Sequence, residues 1–95
     1  MTKAELLYKV KMALGNIPNH LDETIELYID EVIEYLISAG VSKDLLDVEN
    51  EEFDPKCTGC IIRGVADLWN YGNGDTKLSE YFYQRADQLR GGNNG

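Results

Sequence analysis

Cys57 and Cys60 stand in the stretch DPKCTGCIIRGVADLWNYGNGD, Asp54 to Asp75, at the Cys-x-x-Cys spacing of a zinc knuckle or a redox dithiol. A structural zinc takes four ligands, usually from a second Cys pair or from histidines. Beyond these sulfurs the chain offers only His20, so a carboxylate would have to complete the set. A thioredoxin-like dithiol follows a strand in a βαβ unit, and no segment here shows β-branched residues alternating with period two. Asp54 reads as a helix N-cap and Pro55 as the first helical residue. That places Cys57 and Cys60 at i and i+3, on or beside a stripe continued by Ile61, Val65 and Leu68. A helix N-terminus lends Cys57 some thiolate character, but the apolar stripe outweighs it. Both sulfurs are expected to be reduced, buried and engaged in packing, with no bound zinc.

Other reactive groupings are sparser still. His20 has no Ser or Cys nucleophile beside it in sequence and reads as a loop or helix-cap residue. A di-metal carboxylate bundle needs Glu-x-x-His motifs, and the chain has none. The acidic stretch DVENEEFD, Asp47 to Asp54, lacks the sixth-position Gly and twelfth-position Glu of a calcium loop. Gly72 and Gly74 form a lone Gly-x-Gly without the third glycine of a phosphate cradle. No catalytic residue, cofactor or metal is expected, and the chain is not expected to be an enzyme.

The elements that carry these residues read as helical throughout. Thr2 and Glu5 make a capping box ahead of the stripe Leu6, Leu7, Val10, Ala13 and Leu14, which Gly15 stops. Pro18 keeps the next loop, GNIPNH, out of a helix. From Leu21 to Ala39 the apolar residues Leu21, Ile25, Tyr28, Ile29, Val32, Ile33, Leu36 and Ile37 recur at helical spacing, with a wide buried face. Asp22, Glu23 and Glu26 suit the positive end of that helix's dipole, and Gly40 with Val41 suits its close. Ser42 predicts a short helix through Leu46. A helix opened by Pro55 runs to about Tyr71, a turn follows over Gly72, Asn73, Gly74 and Asp75, and a last helix begins near Leu78. That helix carries Leu78, Tyr81, Phe82, Arg85 and Leu89. The expected fold is all-α: a small bundle of four main helices plus a short one, in a single domain over residues 1–91, with 92–95 as a flexible tail.

Charge is unevenly spread. Asp22 to Asp54 holds twelve of the seventeen acids against one base, Lys43, for a net −11 within a chain of net −8. Such a balance opposes nucleic-acid binding, which depends on basic groups displacing counterions from phosphate. No apolar run approaches the roughly 18 residues of a membrane span. The N-terminus MTKAELLYKV lacks a signal-peptide core, so residence in the cytoplasm where the chain is made is expected.

The C-terminal pattern is the most distinctive part of the chain. GVADLWNYGNGD leads into LSEYFYQRADQLRGG, ending on Gln88, Leu89, Arg90 and Gly91. In this, and in the order of elements along nearly its whole length, the chain resembles the small head–tail connector proteins of long-tailed bacteriophages. Within these it is most similar to the DNA-packaging group marked by a C-terminal Gln-Leu-Arg-Gly. The resemblance implies an all-α structural protein of the virion, made in the host cytoplasm and assembled as a homo-oligomeric ring of about twelve subunits. It would dock under the portal protein at head completion, extend the DNA channel and receive the next head–tail joining protein. Genomic DNA would pass through without specific binding, an acidic wall repelling it. Trp69, Tyr83, Arg85 and Arg90 are of the types that anchor interfaces. Asp30, Glu31 and Glu34 on a neighbour's acidic helix are natural partners for those arginines. A different class, an acidic helical DNA mimic or protein–protein adaptor, would use Glu26, Asp30 and Glu34 as phosphate surrogates.

Overall fold

The computed structural model describes residues 1–71 and 78–91 of the chain. The expected turn at Gly72 to Asp75, the tail 92–95 and the side chain of Tyr81 lie outside what is described. Four helices form an all-α bundle: α1 (Lys3–Leu14), α2 (Asp22–Ser38), α3 (Thr58–Tyr71) and α4 (Glu80–Gly91).

The first two helices begin and end on the expected signals. Thr2 Oγ1 accepts the Glu5 N–H at 3.2 Å and a Glu5 carboxylate oxygen accepts the Thr2 N–H at 3.1 Å, closing the reciprocal box. Lys11 ties α1 to the start of α2, its ammonium reaching Asn19 Oδ1 and Asp22 Oδ1, both at 2.6 Å. That Asp22 oxygen is buried and accepts no well-aligned hydrogen bond, so the adjacent Lys11 charge is what offsets its burial. His20 lies in the single 3-10 turn Asn19–Leu21 between the helices. α2 buries Ile25, Ile29, Val32, Ile33 and Leu36. It closes at Gly40, whose φ of +102° belongs to the left-handed region that favours glycine. Val41 then turns back into the core, its N–H bonding to Leu36 O at 3.0 Å.

The segment between α2 and α3 differs from expectation. Ser42 does accept a local backbone bond, from Asp44 N–H at 3.1 Å, yet the chain makes only one turn there. A minimal antiparallel hairpin follows, pairing Leu46 with Phe53 and Asp47 with Glu52 as β1 and β2. The reason is burial. Leu46 and Phe53 both point into the core, at 1% and 2% exposure, which a paired register delivers and a continued helix would not. Asp47 stabilises the reversal by accepting the Asn50 backbone and side-chain N–H groups at 3.1 and 2.9 Å. Phe53 also exchanges backbone bonds with Met1, at 2.8 and 3.0 Å, so the hairpin and the head of α1 are knit together.

Asp54 caps the 3-10 turn Pro55–Cys57, accepting Lys56 N–H at 2.9 Å, and α3 proper begins at Thr58. Helix α3 packs against α1, α2 and α4. At Gly64 neighbouring side chains press onto the bare backbone: a Cβ there would lie 2.8 Å from the Phe82 ring and 2.9 Å from the Val32 methyls. Phe82, fully buried, fills that crossing point from α4. Helix α4 starts two residues later than the sequence suggests because Ser79 is its N-cap, accepting Phe82 N–H at 3.2 Å.

Candidate interaction surfaces

The two sulfurs are within the core, Cys57 at 0% and Cys60 at 1% exposure, as free thiols. Burial pushes both thiols up to about 11, with Asp54 adding to the effect at Cys57 and Arg85 partly opposing it at Cys60. At neutral pH they are protonated packing groups, not nucleophiles. Among the described residues no three His, Cys, Asp or Glu side chains gather as a metal site. None of the described helices is long and apolar enough to cross a membrane.

What remains is surface, and the expected interface residues do not form one patch. Trp69 is half-buried and meets Tyr28 edge-on, ring centroids 6.4 Å apart. Tyr83 leans on Tyr35 and Phe82 at 5.6 and 5.7 Å while 42% of it stays exposed. Burial raises the Tyr35 phenol above its ordinary range, with Tyr83 and Asp87 contributing in the same direction. Arg90 serves its own chain. It pairs with Asp87 at 2.5 Å, donates weakly to Ala39 O at 3.5 Å, and lays its stem over Gly40. A cation placed on the last carbonyls of α2 complements that helix's negative end. The signature residues Gln88, Leu89 and Arg90 thus border a groove with Gly40, Ser42, Leu45 and Lys56.

Arg85 is on another side of the molecule, its guanidinium over Gly59; a Cβ at that position would be 2.6 Å from Nη2. Of the acids on α2, Asp30 pairs with Lys3 at 2.5 Å. Glu31 shares a groove with Tyr35, Leu68, Leu78 and Tyr83, where an expected acid and an expected aromatic meet. Glu34 borders a separate groove with Asp30, Ile37 and Val48.

Three residues of consequence leave little signal in the sequence. Leu27 is 67% exposed on α2, opposite the helix's buried stripe; its absence from that stripe was the available signal. Arg63 flanks Arg85 across a groove of about 240 Å³ floored by Ala13, Leu14, Ile62 and Ala66. Asp67, at 6% exposure, is the only buried charged side chain among the described residues. Nothing in its spacing along α3 marks it as a bridge to α4.

No family model, curated protein or solved structure matches the chain.

Proposed function

We propose that the chain is a structural subunit of a tailed-bacteriophage head–tail joint, a connector that forms a ring under the portal and offers the next joining protein its docking surface. The observation that carries this reading is the Gln-Leu-Arg-Gly signature at the end of the last helix of an all-α chain. The packing gives that signature a physical use, since Leu89 packs against the core and Arg90 covers the C-terminal end of α2. The acids of α2 and of the hairpin suit a wall that duplex DNA passes without adhering. Trp69, Tyr83, Arg85 and Arg90, with Asp30, Glu31 and Glu34, remain the residues proposed for contacts to neighbours or portal.

The test is assembly. Light scattering and negative-stain electron microscopy, on the free protein and after addition of purified portal, should reveal rings sharing the portal's axis. A protein that stays monomeric and does not associate with portal or tail components would overturn the reading. Tight capture of a basic nuclease or repressor by that monomer would favour the DNA-mimic class instead.

A further inference from the structure

Helices α2 and α3 pack directly against each other, so their exposed faces look outward in different directions. The two faces are unlike. On α2, Leu27 projects into solvent, with Glu23 and Glu31 one turn away on either side along the helix. On α3, the outer residues Ile62 and Ala66 join Ala13 and Leu14 of α1 as the apolar floor of a groove, and Arg63 and Arg85 stand at its margins. Both arginines have interactions within their own chain, Arg63 lying 4.0 Å from Asp67. A guanidinium has five donors, however, and the Arg63 side chain is 48% exposed, so Arg63 can take a further carboxylate, while half-buried Arg85 adds its positive charge at the opposite margin. One face is thus an apolar knob between two carboxylates; the other is a groove with apolar side chains on its floor and a guanidinium at each margin.

We propose that copies of the chain associate head to tail, the Leu27 face of α2 on one copy seating in the groove between Arg63 and Arg85 on the next. The second copy is the favoured occupant because the same molecule carries both halves of a matched pair in charge and apolarity. A contact between different patches is heterologous, and repeating it closes a ring or extends a filament. The inference rests on the connector reading in one respect, that copies of the chain meet. It leaves Asp44 and the hairpin acids Glu49, Glu51 and Glu52 outside the contact, available to face a channel.

The experiment follows self-association by light scattering at concentrations up to about 1 mM, with and without portal. Wild type is compared with Leu27→Asp, with Glu23→Lys/Glu31→Lys, with Arg63→Glu/Arg85→Glu and with all four charge changes combined. Circular dichroism checks folding. Association should weaken by about tenfold or more in Leu27→Asp and in each charge-reversed pair, and recover in the fourfold variant, where the charges match again. Should the arginine variant unfold, Leu27→Asp and Glu23→Lys/Glu31→Lys still decide, because all three side chains are exposed. Wild-type assembly that all variants retain would overturn this contact and leave the connector reading standing. A wild type that assembles in neither condition would overturn both.

Discussion

The Asp67 carboxylate on α3 accepts the backbone N–H of Ser79 at 2.9 Å, fixing the residue that caps α4. The bond spans the part of the chain between the two helices and is the polar link that starts α4 where Phe82 can enter the core. Asp67→Ala should therefore lower stability by about 1–3 kcal/mol, the cost of leaving a partly buried donor unpaired. Urea denaturation measures it, and amide exchange should rise first in α4. An unchanged midpoint would show that the bond contributes nothing.

The thiols predict an alkaline weakness. Both are raised from an ordinary value near 9 to about 11, principally by burial, so between these values the unfolded chain releases protons that the folded chain keeps. Their contribution is whole below about pH 9 and is lost as pH climbs towards 11. Cys57→Ala/Cys60→Ala should cost about 0.5–3 kcal/mol at pH 7 and lose less than wild type on going to alkaline pH. Paired denaturation curves at the two pH values test this, and parallel losses would refute it. Thiol reagents at pH 8 should react slowly until the protein unfolds.

Gly64 predicts a reversal of the usual helix rule. Alanine in place of glycine inside an exposed helix gains up to about 1 kcal/mol. Here the new methyl would press on Phe82 and both Val32 γ-methyls within 3 Å. Gly64→Ala should instead destabilise by about 1–3 kcal/mol, the range for overpacking. A higher melting temperature in the variant would mean that α4 yields more readily than the packing implies.

Much of this architecture was legible in the residues. Thr2 with Glu5, Gly40 with Val41, and Asp54 with Pro55 are local devices, each acting within a few positions of itself, and each is present where the sequence places it. The hairpin was not legible, because two residue pairs leave no periodic pattern and the burial of Leu46 and Phe53 depends on α1 and α2 being in place. The exact start of α4 was not legible for a related reason: Ser79 caps it with help from Asp67, twelve residues away. The expected interface residues rest on residue type, and type does not disclose that Arg90 is turned towards Ala39 or Asp30 towards Lys3.

A net charge of −8, with −11 between Asp22 and Asp54, should leave the free protein unable to bind duplex DNA at physiological salt. Gel shifts across a salt series check this. A complex that weakens steeply as salt rises would instead reveal a basic surface acting on phosphate.

The central packing role of α3 has a consequence during synthesis. Helix α2 finishes at Ser38, but the helix that packs most extensively against it is complete only at Tyr71. At about 5–20 residues per second, the ribosome leaves the Ile25, Ile29, Val32, Ile33 and Leu36 face without that cover for a few seconds. The first half of the chain should thus behave as a client of nascent-chain chaperones, and a fragment ending at Asp54 should stay largely unfolded by circular dichroism. Folding is committed late, when the segment bearing the two cysteines arrives.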